Sequence, residues 1–302
     1  MSATFGRPAP PRGDTELVIA RLLADRARIE ASGDAALAAL GAGATMRELP
    51  AGAWEIVAPR AERARLRTIV AHHFDPCDAL VADAAPQVPA LFISDMDSTM
   101  IAAECIDELA DFAGIKPQIA AITERAMLGE LDFASALAER VGLLRDLPAQ
   151  AIADCLAERI AAMPGAATLV GTLRAMGCRT VLVTGGFHQF ADPVAEELGF
   201  EHVVANRLAI ADGRLTGGLD GPICDSATKR ATLLAEMAKL DQAATSLAMG
   251  DGANDIPMIE AASHGIAFRA KPRARAAADG WIDIGDCRAV LQLFDIAKGD
   301  RA

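Results

Sequence analysis

The sequence predicts an α/β fold: a parallel sheet layered with helices, a helical segment inserted after the first strand of that sheet, and a smaller α/β segment ahead of it. Three observations carry this reading. Short apolar runs alternate with helix-like stretches from about residue 90 onward. Several runs stop on polar residues: "LFISD" ends at Asp95, "CRTVLVT" at Thr184 and "TSLAMGD" at Asp251. Residues 104–160 read as almost continuous helix, which is long for a simple crossover between strands.

Taken in order, the first dozen residues are rich in proline and glycine and read as loose. "TELVIARLLADRARIEASG" has the spacing of an amphipathic helix closed by Gly33, "AWEIVAP" of a strand and "RAERARLRTIVAHHF" of a helix. The two prolines of "DAAPQVPA" place a linker near residues 83–89. Residues 1–85 are therefore set apart as an N-terminal α/β domain. Residues 86–302 form the main unit, with a helical cap over about 105–162 broken at Gly114, Gly129 and Gly142. Pro164 and Gly165 open a helix that Gly177 stops. Strand "HVVA" follows, then a hairpin in "NRLAIADGRLTGGL" with "ADG" as its turn. A helix from about Thr228 to Leu240, strand "TSLAMGD", a helix from about Asn254 and strand "GIAF" complete the pattern.

Composition removes several function classes. The 302 residues carry a formal net charge of -12 and no tyrosine, with 4% aromatics. Sequence-independent binding of a phosphate backbone needs the opposite charge, and a stacking platform for bases needs aromatics. No nucleic acid partner is expected. No apolar run reaches the roughly 20 residues that span a bilayer. The opening "MSATFGRPAPPRGDTE" holds charges and prolines where an apolar leader would stand. The six cysteines show no metal or redox spacing. The expectation is a soluble cytoplasmic protein with ordinary thiols and no membrane partner.

The strand ends carry the chemistry. Open parallel sheets bind ligands beyond the carboxyl ends of their strands, so the three polar ends should meet on one edge. In "DMDST", Asp95 and Asp97 stand two residues apart and point the same way on a regular strand. Alone, this is also what a solvated turn contains. Beside "GDGAND" at another strand end, a divalent cation becomes the stronger reading. Magnesium prefers oxygen ligands and takes one or two carboxylates, keeping water and phosphate. A carboxylate in such a site can attack phosphorus, and its neighbour can carry the proton. "TGGF" after a strand offers a hydroxyl and backbone N–H groups to an anion, although Gly-Gly is also an ordinary turn. Lys229 in "DSATK" is a solvated lysine by default, but beside a phosphoryl group it would balance charge.

These segments resemble the haloacid-dehalogenase (HAD) superfamily of phosphotransferases. "DMDST", "VLVTGG", Lys229 and "GDGANDIPM" are similar to its four motifs, in order, over about residues 90–290. "DMDSTMIAAECIDELADFAG", "ITERAMLGELDFASALAERVGLL" and "NRLAIADGRLTGGLDGPICDSATK" further resemble the phosphoserine phosphatase family. The resemblance implies a Rossmann-like HAD core and Mg-dependent hydrolysis of phosphoserine, the last step of serine biosynthesis. It implies Asp95 as nucleophile, Asp97 as proton donor and acceptor, and magnesium held by Asp95, Asp251 and the Asp97 carbonyl. Thr184, Gly185, Lys229 and Asn254 would hold the phosphoryl group, with Asp255 in support. Glu104 would face the substrate ammonium, Arg140 its carboxylate, and Met127 and Phe133 would line the cap side. Thr184 stands where the family usually has serine. The family sometimes carries an N-terminal domain of the amino-acid-binding ACT type, and a homodimer is compatible with it. The same site on another small phosphate monoester, or phosphoryl transfer to another hydroxyl, is the alternative; a sensing protein without turnover is a third.

Overall fold

The computed structural model describes residues 17–59, 63–127 and 130–297. In the N-terminal third, β1 (Leu17–Leu23), α1 (Arg26–Leu40), β2 (Thr45–Glu48), β3 (Trp54–Pro59), α2 (Arg63–Phe74) and β4 (Asp78–Ala82) follow one another. After a stretch without regular structure come β5 (Leu91–Ser94) and four helices, α3 (Cys105–Phe112), α4 (Lys116–Met127), α5 (Phe133–Gly142) and α6 (Gln150–Arg159). Next are α7 (Ala166–Ala175), β6 (Arg179–Phe187), α8 (His188–Leu198), β7 (His202–Asn206), β8 (Leu208–Ala211), β9 (Arg214–Leu219) and α9 (Ser226–Met237). The chain closes with β10 (Ser246–Gly250), a 3₁₀ turn at Ala253–Asp255, α10 (Ile256–Ala261), β11 (His264–Phe268), α11 (Pro272–Ala277), β12 (Gly280–Ile282) and α12 (Arg288–Leu293).

Ten strands form one sheet in the order β2-β3-β1-β4-β12-β11-β10-β5-β6-β7. The run from β12 to β7 is parallel, and β4 pairs antiparallel with β12. The sheet thus continues without a break across residues 83–90. Trp281 of β12 buries its ring in the apolar cluster of the N-terminal segment and donates its indole N–H to the Cys77 carbonyl at 2.7 Å. Buried Arg21 joins Glu55 at 2.9 Å and also donates to the Pro86 and Leu293 carbonyls. These bonds tie both sides of the linker into one body.

Two expectations need correction here. Leu17–Leu23 is a strand, not the start of an amphipathic helix. β1 pairs along both edges, with β3 and β4, and five successive residues, Val18 to Leu22, are buried, so both of its faces are covered and a nearly unbroken apolar run suits it. Periodicity alone does not separate such a run from a buried helix. The helix starts only at Arg26, where the Asp25 side chain caps the Ala27 N–H, and it ends at Gly41 with Gly33 in its interior. Strands β2, β4 and β12 are further elements that the sequence reading did not mark. Gly114 does part α3 from α4 and Gly142 ends α5, whereas Gly129 and the first dozen residues lie outside the described ones. No helix among the described residues is long and apolar enough to cross a membrane.

Candidate active site

Strands β10, β5 and β6 are neighbours in the sheet, so their three polar ends meet at one edge. Above them lies a cavity of about 220 Å³. Asp95, Asp97, Thr184, Gly185, Asp251 and Asn254 line it from the sheet side, and Glu104, Phe133 and Arg140 from the cap side. Lys229 and Asp255 stand buried behind this floor. Met127 closes α4, and its side chain lies outside the described residues.

Asp95 is fixed from several directions. Its N–H donates to the Met249 carbonyl at 2.9 Å, extending the β5–β10 ladder by one residue. Its Oδ1 accepts the Met96 N–H at 2.8 Å and meets Lys229 Nζ at 2.7 Å. Lys229 gives its second bond to Asp255 Oδ1, also at 2.7 Å. Burial and the negative Asp255 raise the pKa of Asp95, and the Lys229 ammonium opposes them. Burial works against the lysine's charge, but the Asp95 and Asp255 carboxylates overcome it and hold its pKa above the usual lysine range. The position of Lys229 in the first turn of α9, poor for a cation by the helix dipole, is thus offset by two close anions.

Asp255 reaches Lys229 because β10 ends in glycine. A Cβ at Gly250 would fall 2.5 Å from Asp255 Cγ. The other carboxylate oxygen of Asp255 accepts the Gly252 N–H at 2.9 Å.

Asp97 has different surroundings. Burial first, and the negative Glu104 second, push its pKa up to about 7. Its Oδ1 is buried with no hydrogen-bond partner among the described residues. Two carboxylates two residues apart therefore differ: one is paired with a lysine, the other is poised to exchange a proton near neutrality.

On β6 the register with β7 shifts between Val183 and Phe187, and this bulge turns Thr184–Gly186 toward the cavity. Thr184 Oγ1 accepts the Gly186 N–H at 2.9 Å, so among the described residues its own O–H is left for the cavity. A Cβ at Gly185 would lie 3.3 Å from the Phe133 ring, so glycine lets the cap aromatic approach the strand. The bulge is held by buried Asn206, whose Nδ2 donates to the Gly185 carbonyl at 2.7 Å and whose Oδ1 accepts the Cys224 N–H at 2.8 Å.

The cap side is more open. Glu104 stands at the start of α3 and accepts a bond from Ser98 Oγ at 2.8 Å. Arg140, in the last turn of α5, is half-buried; its Nε donates to the Ala136 carbonyl at 3.3 Å. Burial lowers its pKa, and Asp107 and Glu104 oppose that shift.

Asp95, Asp251 and Asp255 each bring a carboxylate oxygen within 4.8 Å of the others, all three buried. Burial pushes the Asp251 pKa up to about 6, eased by Lys271 Nζ at 3.7 Å. Crowded, buried oxygen donors form a set that a hard divalent cation fits. Asp255 already serves Lys229 and Gly252, which leaves the Asp95 and Asp251 carboxylates as the freer members of this cluster.

Sequence reading missed Lys271, Ile106, Leu137 and Asn206. The strand-end rule would have found Lys271, which stands three residues beyond β11, the neighbour of β10. Asn206 gave no signal, because its role depends on a bulge in another strand.

A model of the haloacid dehalogenase-like hydrolase family matches residues 92–260. Over 215 residues the chain is 45% identical to phosphoserine phosphatase SerB2 of Mycobacterium tuberculosis, a match covering 70% of this chain and 51% of that protein. The matched part thus spans about half the length of that relative. It is 44% identical over 213 residues to a phosphoserine phosphatase of Streptococcus thermophilus, covering 69% of this chain and 97% of the relative. In three dimensions it resembles a HAD family hydrolase of Salmonella enterica serovar Typhi, with a TM-score of 0.81 at 29% identity over 92% of this chain and 98% of the other. The likeness of fold therefore extends into the N-terminal third, beyond the sequence matches. The chain belongs to the haloacid dehalogenase-like hydrolases and, among them, to the phosphoserine phosphatase family.

Proposed function

We propose that this protein is a magnesium-dependent phosphoserine phosphatase, hydrolysing O-phospho-L-serine to L-serine and phosphate as the last step of serine biosynthesis. One observation carries the reading: Asp95 and Asp97 share the cavity floor in different surroundings, the first ion-paired with buried Lys229 and the second facing Glu104 with an oxygen that has no partner among the described residues. Nucleophile and proton carrier need that difference.

A carboxylate oxygen of Asp95 attacks phosphorus as the bond from phosphorus to the seryl oxygen breaks. Asp97 gives its proton to that oxygen, and serine leaves. Asp97, now a carboxylate, takes a proton from water as the water oxygen attacks the aspartyl-phosphate. Phosphate departs and Asp95 is restored. The Thr184 O–H, the backbone at Gly185, Lys229 and Asn254 supply donors to the phosphoryl oxygens. Asp95, Asp251 and the Asp97 carbonyl would hold magnesium, which when bound would supply positive charge against the phosphoryl group. Glu104 suits the substrate ammonium and the Arg140 guanidinium its carboxylate, the latter through two parallel bonds. Residues 1–85 are read as an N-terminal module and 86–302 as the catalytic unit with its cap. The six free, buried cysteines support a reducing, cytoplasmic setting.

The test is phosphate release from phosphoserine against a panel of small phosphate esters, with magnesium and with excess chelator, and with alcohols as competing acceptors. Phosphoserine is expected to give the highest kcat/KM, and chelator to abolish release. A higher kcat/KM for an ester lacking the amino-acid group would refute the substrate assignment, and full activity in chelator the metal assignment.

A further inference from the structure

The side chains that line the cavity carry an excess of negative charge, of which the proposed magnesium would offset the part at Asp95 and Asp251. Four carboxylates line it, those of Asp95, Asp97, Glu104 and Asp251, and the whole chain carries a net charge of -12. Its proposed substrate is itself an anion. Lys229 is buried at the floor and paired with two carboxylates, Asp95 and Asp255, so little of its charge reaches the mouth of the cavity. Arg140 serves the far end of the cavity, in the cap. Among the described residues, the remaining cation on the lining is Lys271. Its backbone N–H donates to the Asp251 carbonyl at 2.9 Å, pinning it to the end of β10. Its ammonium stands 3.7 Å from the Asp251 carboxylate, with 71% of the side chain exposed. A pair so open to water contributes little to stability. The same exposure places a positive charge at the mouth of an acidic cavity, where it acts on an approaching anion.

We propose that Lys271 is a specificity-determining residue that draws a phosphate dianion past the surrounding carboxylates and holds it in the encounter with the site. The inference rests on the phosphatase reading above. A charge in this position changes affinity and its salt dependence and leaves the bond-breaking step alone.

The test compares magnesium-loaded wild type, Lys271→Gln and Lys271→Arg over rising ionic strength. It measures KM and kcat for phosphoserine and, by calorimetry, the Kd of inorganic phosphate. Lys271→Gln is expected to raise both KM and the phosphate Kd roughly fivefold or more, keep kcat within about twofold, and flatten the fall of kcat/KM with salt. Lys271→Arg restores the wild-type values. Unchanged KM, phosphate Kd and salt dependence in Lys271→Gln overturn the inference, as does a loss confined to kcat. If wild type does not turn over phosphoserine, the phosphatase reading falls, and the phosphate Kd of the variants still decides the role of Lys271.

Discussion

The floor and the rim of the cavity are built differently. On the floor, Asp95, Lys229 and Asp255 are buried and joined at 2.7 Å, and Gly250 makes room for them. On the rim, Glu104 is exposed with one hydroxyl bond, Phe133 is 39% exposed, and Arg140 donates to a backbone carbonyl of its own helix. The floor trio is over-determined: each of its three groups has its geometry set by more than one partner. The rim has few internal partners, and its charges are matched to groups that a substrate would bring. Preorganised groups suit a step whose charge must be met at once. Loosely held ones suit selection among ligands. Floor variants should therefore act on kcat, and rim variants on KM.

The largest effect should come from Asp95→Asn. It should lower kcat by about 10³-fold or more and abolish the covalent phospho-protein detectable by mass spectrometry. Turnover near wild type would remove Asp95 as nucleophile. Asp97→Asn should lower kcat by about 10²- to 10⁴-fold while the protein still folds. An unchanged kcat would mean that the proton is carried elsewhere.

Lys229→Met should separate stability from the rim altogether. It leaves buried Asp95 and Asp255 without their shared cation, and a loss of about 3–5 kcal/mol is expected in urea unfolding. A smaller loss would show that the floor is not held by this ion pair.

The metal-free protein should also respond to pH in a characteristic sense. Asp97 and Asp251 titrate at about 7 and about 6 in the fold, above the ordinary value of 3.8. Groups with raised folded pKa values favour the fold when protonated. Their contribution is complete below about pH 4 and is lost as pH rises through 6 and 7. The Tm of chelator-treated protein should fall from pH 5 to pH 8, and magnesium should restore it at pH 8. A Tm that rises over this range without metal would contradict the crowding of these carboxylates.

On the rim, Glu104→Gln and Arg140→Ala should raise KM for phosphoserine by about tenfold, with much less effect on an ester lacking the amino-acid groups. Glu104→Gln should also lower the Asp97 pKa, because it removes a neighbouring negative charge, so the alkaline limb of kcat/KM moves to lower pH. The smallest effect belongs to Thr184→Ser. It keeps the hydroxyl that accepts the Gly186 N–H, so activity should stay within about twofold.

Much of this was legible before any coordinates. The alternation of apolar runs and helical stretches determined the parallel α/β core, because a strand covered on both faces needs an uninterrupted apolar run. The polar ends of those runs determined the floor, since adjacent parallel strands present their carboxyl ends on one edge. Tertiary structure decided what depends on unrelated segments meeting. "LVIARLL" became a strand only because β3 and β4 flank it, and periodicity holds no information about neighbours. Asn206 and Lys271 entered the site through a bulge in β6 and the adjacency of β11 to β10. The different surroundings of Asp95 and Asp97 were decided in the same way: burial raises the pKa of both, but Lys229 pairs with the first and the negative Glu104 stands against the second.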